Sequence, residues 1–260
     1  MNQIVDNCVY TFCWKISYKI KELIVHFSVM SMLFTLKGRS STLSIDFQIP
    51  IELDPQFNYG LALIGFYSYN TIPNVEDKKF YFIDEHDKHL EPIVIPTGTY
   101  EINDLETYLK QQLNDTKNFS MKANNNTLRC EIYHSKYQID FTQEDTLAEL
   151  LGYTPTILPA GEINESDLPV EIVKVKTINI ECNITEGAFF NELPSHTLYE
   201  FSIDSDPGYS IDEVPKNLIY LPVTVRTIYN ITLDVLDQDF NSVNFRGEEI
   251  IIRLELKKCL

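Results

Sequence analysis

The sequence lacks most of the patterns on which site chemistry is built. Its five cysteines (Cys8, Cys13, Cys130, Cys182 and Cys259) are odd in number, widely spread and form no C-x-x-C. That argues against a disulfide framework and a zinc ribbon, and it fits a reducing compartment such as cytosol or nucleus. No H-x-H pair occurs, so the two-histidine strand of a cupin-type metalloenzyme is missing. Neither G-x-G-x-x-G nor G-x-x-x-x-G-K-S/T is present, which removes the glycine loops that cradle nucleotide phosphates. With 9 Gly and 12 Pro among 260 residues, there is no Gly/Ser- or Pro-rich linker, no low-complexity run and no short repeat.

Basic residues are scarce as well: 21 stand against 38 acidic ones, for a net charge of −17. The imbalance is uneven. Residues 1–40 carry Lys15, Lys19, Lys21, Lys37 and Arg39 against Asp6 and Glu22, a net +3, and the other 220 residues carry −20. An acidic body repels phosphate backbones, which leaves only the N-terminal arm with the charge sign for a weak contact with DNA. The stretch from Leu23 to Leu36 is mostly apolar behind Lys19 and Lys21. His26, Ser28 and Ser31 interrupt it, it is short for a bilayer, and it lacks a small-x-small cleavage site, so a membrane or secretory role is not expected. On a chain that is not secreted, the N-x-S/T sequons at Asn118, Asn125, Asn164, Asn183 and Asn230 are chance matches in an Asn-rich sequence.

What the chain does have is a period of two. Leu43, Ile45, Phe47, Ile49, Ile51 and Leu53 are apolar, and the residues between them are polar or proline. That spacing predicts a strand with one buried face. The chain closes in the same way, with Ile250, Ile252, Leu254 and Leu256 inward. Further strands are expected at residues 61–69, 79–84, 128–134 (Leu128, Cys130 and Ile132 inward) and 137–141. A long strand is expected over 170–184, inward at Ile178, Ile180, Cys182 and Ile184, followed by strands at 196–203, 217–221 and 223–236. Cys130 and Cys182 fall in phase with the apolar faces and read as small core hydrophobes. Aromatic content, with 15 Phe and 15 Tyr, suits strands and suffices for a core.

Two helices interrupt this pattern. Leu105, Tyr108, Leu109 and Leu113 fall at helical spacing, with Asn103 and Glu106 as an expected capping box. A second helix is expected from Glu144 to Leu151, capped by Thr142 or Glu144, with Leu147, Leu150 and Leu151 as its stripe and Gly152 as its stop. The fold class is therefore all-β: a single jelly-roll of two antiparallel sheets, about eight strands, with two short inserted helices. Residues 1–32 form an N-terminal extension, expected to be disordered, and 33–258 form one domain.

No catalytic, cofactor or metal site is expected. Asp84 to His89 (DEHDKH) holds His86 and His89 three apart, which suits a helix, but the stretch reads as a solvated hairpin turn. Asp204, Asp206 and Asp212 flank a Pro-Gly turn and read as its acidic shoulders rather than as calcium ligands. His26, His134 and His196 stand apart from any nucleophile and acid, so no hydrolytic triad is supported.

The C-terminal half carries a resemblance. NLIYLPVTVRTIYNITLDVLDQD and then VNFRGEEIIIRLELKK resemble the end of the minor capsid (penton) proteins of Polinton/Maverick elements and the related adintoviruses. The Leu150–Tyr153 segment LLGY, KTINIECNITEG, SHTLYEFS and the opening TLSIDFQIPIEL are similar to further segments of that family, so the likeness runs from about Leu33 to Lys258. It implies a single jelly-roll that assembles as a homopentamer at icosahedral vertices beside a double-jelly-roll major capsid protein. The implied location is the virion, with assembly in the nucleus or cytoplasm of the host. Residues 1–29 match nothing in the family. Phe245-Arg246-Gly247-Glu248 is not an Arg-Gly-Asp, so no receptor role follows. The competing reading is a jelly-roll binding module, lectin-like or trimeric and cytokine-like.

Overall fold

A computed structural model describes residues 31–114 and 117–259. The strands are, in chain order, β1 (Ser31–Gly38), β2 (Thr42–Glu52), β3 (Asn58–Tyr69), β4 (Lys78–Ile83) and β5 (Ile93–Ile95). Helix α1 (Ile102–Leu113) precedes β6 (Phe119–Ala123), β7 (Arg129–His134) and β8 (Gln138–Asp140). Helix α2 (Ala148–Leu151) precedes β9 (Ile157–Leu158), β10 (Ile163–Pro169) and β11 (Thr177–Cys182). Then come β12 (Ala188–Phe190), β13 (Leu193–Ser195), β14 (Thr197–Ser202), β15 (Ser210–Glu213), β16 (Leu221–Pro222), β17 (Thr227–Leu236) and β18 (Ile250–Cys259).

Eight of these strands form a jelly-roll. One sheet runs β1-β18-β3-β15, with β16 also on β3, and the other runs β14-β11-β17-β2. Numbered along the barrel alone, the orders are 1-8-3-6 and 5-4-7-2. Every consecutive pair except the fourth and fifth thus sits in opposite sheets, which is the jelly-roll winding. The alternating residues meet between the sheets: Leu61, Leu63 and Phe66 of β3 with Ile250, Ile252, Leu254 and Leu256 of β18 on one side, and Ile178, Ile180 and Cys182 of β11 with Ile231, Leu233 and Val235 of β17 on the other.

The period-two reading of β2 needs one correction. Asn230 pairs with Asp46 but Ile228 pairs with Ile51, so four residues of β2 lie opposite one of β17. Pro50 has no N–H for the ladder, and the strand bulges there. Ile49, expected inward, is 85% exposed, while Ile45, Phe47 and Ile51 pack partly buried against the core. A strand also precedes β2. Within the apolar stretch from Leu23 to Leu36, residues 31–36 belong to β1, and its earlier part lies outside the described residues. No helix among the described residues is long and apolar enough to cross a membrane.

The two inserted helices do not stand alone. Residues 70–176, between β3 and β11, make a second unit with its own core of Phe80, Phe82, Ile95, Leu105, Leu109, Phe119, Ile132 and Phe141. Its sheets run β10-β7-β6 and β5-β4-β8-β9. The strands expected over 79–84, 128–134 and 137–141 therefore pair with one another and not with the barrel. Val170 and Glu171, expected in the long strand to Ile184, donate instead to the carbonyls of Leu128 and Leu150, so the barrel strand starts only at Thr177.

Local chemistry shifts several boundaries. Leu128, expected inward, has φ +59° and is 61% exposed, because the Asn124–Thr127 turn closes on its N–H. Helix α1 caps two residues earlier than expected: Asp104 accepts from the Glu101 N–H at 3.1 Å. Glu106 instead accepts from Lys110 and from the Met121 N–H. Helix α2 is a single turn starting at Ala148 rather than at Glu144.

Both chain crossings into the insert are tied together at Asn74. Its amide donates to the carbonyls of Tyr100 and Ile172, and its oxygen accepts from the Tyr100 N–H. On the return, Gln238 donates to the Lys174 carbonyl and accepts from the Lys176 N–H. The barrel's β17–β18 turn thus grips the strand that re-enters it.

Candidate assembly surfaces

The residues with ligand chemistry do turn work. The Asp84 carboxylate accepts from the N–H groups of His86 and Lys88 at 2.8 and 2.9 Å, which holds it below the usual carboxylate range. His86 projects into solvent beside Glu85, and His89 lies 3.8 Å from Asp140. Asp204 and Asp206 flank the turn at Gly208, whose φ is +84°, and Asp212 accepts from Ser210 at 2.8 Å. Among the described residues no group of three or more His, Cys, Asp or Glu is placed to hold a metal ion.

The isolated histidines serve the backbone. His134 Nδ1 accepts from the N–H groups of Lys136 and Tyr137 at 3.0 and 2.9 Å, and His196 Nδ1 lies 2.8 Å from the Thr185 carbonyl. His26 lies outside the described residues, as do Cys8 and Cys13. Cys130 and Cys182 are buried, and burial pushes their thiols up to about 12 and about 11, away from nucleophilic use.

The Leu-Gly-Tyr segment builds the insert. Gly152 adopts φ +79° at the end of α2, and a Cβ there would meet the Leu168 carbonyl oxygen at 2.2 Å, so glycine is required on two counts. Tyr153 is buried and its hydroxyl donates to the carbonyls of Cys130 (2.9 Å) and Asn164 (2.7 Å). Burial first, and then its neighbour Cys130, pushes that phenol far above its ordinary range. Beside it opens an apolar groove of about 1090 Å³ bordered by Leu128, Pro155, Leu168 and Val173.

Exposed apolar side chains mark other surfaces. The β12–β13 hairpin is outside both barrel sheets. Asn191 and Glu192 at its tip have φ +45° and +71°, the twist that a two-residue hairpin needs. Phe189 and Leu193 are 73% and 69% exposed, and Phe190 packs edge-on against Phe240, ring centres 4.7 Å apart. The signal was present in the sequence as Phe-Phe-Asn-Glu-Leu-Pro, apolar residues around a turn, but sequence reasoning missed it. Tyr209 and Val214 flank β15, and Leu33 lies on β1, all exposed.

No family model matches the chain. No curated protein matches it either. Among solved structures it is similar to the penton protein of mavirus, with a TM-score of 0.47 and 13% identity over 88% of this chain and 99% of that one. The jelly-roll assignment itself stands on the strand order of the two sheets.

Proposed function

We propose that the chain is a structural minor capsid (penton) subunit that assembles as a homopentamer at the icosahedral vertices of a Polinton/adintovirus-like virion. The observation that carries this reading is where the family-like segments fall. TLSIDFQIPIEL covers β2, KTINIECNITEG covers β11 and SHTLYEFS covers β14. The two C-terminal segments cover β16, β17 and β18. The resemblance is thus concentrated in one winding of strands, with LLGY alone falling in the insert, at α2. A barrel whose interior is filled with side chains acts through its surfaces, which fits a building block rather than a catalyst. Its partners in this reading are further copies of itself and a double-jelly-roll major capsid protein, with weak DNA contact through the N-terminal arm that precedes β1. Its place is the virion, after assembly in the host nucleus or cytoplasm.

The groove in the insert favours a second reading, a jelly-roll binding module, lectin-like or trimeric and cytokine-like. Mass photometry of the full chain separates the two. A body charge of −20 makes copies repel at long range, and salt screens that repulsion. The expected result is monomer at low ionic strength and pentamer at high salt or with the major capsid protein. A chain that stays monomeric throughout, or forms only trimers, overturns the penton reading.

A further inference from the structure

The two edges of the first barrel sheet complement each other. β1 lies at one edge and β15 at the other, and neither has a partner strand on its outer side among the described residues. The register sets Lys37 beside Ile251, Ile251 beside Tyr67, and Tyr67 beside Asp212. Lys37 and Asp212 therefore stand on one rung of the ladder, at the same height and on the same outward face, at opposite edges. Three antiparallel pairings separate β1 from β15, so these two strands run antiparallel to each other. A rotation about an axis along the strands brings β15 of one copy against β1 of the next in antiparallel sense, with no offset in height.

The charges agree with that geometry. Between residues 200 and 215 stand Glu200, Asp204, Asp206, Asp212 and Glu213 with no basic residue, and between 31 and 45 stand Lys37 and Arg39 with no acidic one. Asp212 is exposed. Lys37 pairs with Glu249 of its own chain at 2.8 Å while its side chain stays 60% exposed, and an ammonium group has three donors to share. Tyr209 and Val214 on one edge and Leu33 on the other add exposed apolar surface beside the charges. Charges on edge strands ordinarily block pairing. Opposite charges on the two edges block β1 against β1 and β15 against β15 while permitting β1 against β15, which selects head-to-tail contact over a two-fold dimer.

We propose that the β15 edge of one copy docks on the β1 edge of the next copy, with Asp212 facing Lys37. This interface rests on the self-assembly reading above. The test is mass photometry of full-length Lys37→Asp, Asp212→Lys and the double variant, at the lowest ionic strength at which the unaltered chain assembles (with the major capsid protein present if needed), because added salt screens this contact as it screens the net repulsion. Each single variant sets like charges together and is expected to weaken association about tenfold or more, and the double variant to restore it. Both positions are exposed and the Lys37–Glu249 pair is a surface ion pair, so melting temperatures should fall by no more than about 4 °C. As a second readout, Lys37→Cys with Asp212→Cys in a Cys8→Ser, Cys13→Ser, Cys259→Ser background should form interchain disulfides on oxidation. Single variants that assemble normally, or a double variant no better than the singles with no crosslink, overturn the edge contact and leave the penton reading standing. An unaltered chain that never self-associates removes both.

Discussion

The barrel and the unit inserted into it bury apolar surface in different ways. The barrel interior is mostly Ile, Leu and Val from alternate positions of long strands, so neighbouring rungs repeat one simple contact. The insert has short strands and relies on a cluster of rings. Phe80 lies 5.1 Å from Phe82 and 5.4 Å from Phe141, Phe119 meets both Phe80 and Phe82, and the Tyr153 ring lies tilted 5.1 Å from Phe141. Particular polar groups then hold that cluster in place: Asn74, Tyr153, and Asp140, which accepts from the Thr142 N–H and hydroxyl and from Gln143. A repeated apolar ladder tolerates the loss of one member better than a small cluster keyed by single hydrogen bonds. The insert should therefore be the part that fails alone.

The largest expected effect breaks the whole molecule. Leu254 is fully buried between the sheets, and Leu254→Asp would bury an unpaired carboxylate there. Folding should be lost, read as absent cooperative melting, while Asp46→Asn on the exposed face of β2 should melt within about 0.5 kcal/mol of the unaltered chain. Comparable damage from both would show that the inward face of the barrel is misassigned.

The next effect divides the two regions. Phe82→Ala empties the centre of the ring cluster, at a cost of about 3–5 kcal/mol, and Tyr153→Phe removes the hydroxyl shared by the Cys130 and Asn164 carbonyls, at about 1–3 kcal/mol. Hydrogen exchange should report faster opening of β4, β7 and α1 with β17 and β18 still protected. Equal loss of protection in both regions would mean that barrel and insert fold as one cooperative unit.

The smallest effect is acid sensitivity. Asp84, Glu131, Asp140, Asp145 and Asp167, all in the insert, are held below their ordinary values. For Asp140, burial opposes the charge, but the bonds from Thr142 and Gln143 outweigh it. For Asp145, hydrogen bonds from Lys79 and Tyr81 lower the value. A carboxylate lowered in the folded state stabilises it fully above the ordinary value and loses that contribution as pH falls through the folded value. From about pH 4 downward the insert should lose protection before the barrel. The reverse order would place the acid-sensitive contacts in the barrel.

Much of the barrel was legible because a period of two is a local property: Ile178, Ile180 and Cys182, and the inward set of β18, are buried as their spacing predicts. Gly152 was legible as a helix stop for the same reason, since a left-handed residue is a local demand. Ile49 and Leu128 were misread where a neighbour intervened, a proline that breaks the ladder in one case and an Asn-rich turn in the other. The candidate assembly surfaces were hardly visible, because an exposed Phe189 and a buried Phe201 look alike in a sequence. Lys37 and Asp212 are separated by most of the chain and meet the same rung only through β18 and β3.

By itself, then, the sequence determined the mostly-strand class, most inward faces of the long strands, the acidic body and the lack of glycine-loop phosphate motifs. All of these depend on residue type and spacing along a few neighbours. The tertiary structure alone decided which strands pair. Strands of the insert alternate just as barrel strands do, and backbone hydrogen bonds are the same whichever partner supplies them. What sorts them into two cores is the fit of side chains from distant segments, the Ile and Leu rows closing one sandwich and the phenylalanine rings closing around α1 in the other. That fit is a property of three-dimensional packing, which no window of sequence contains.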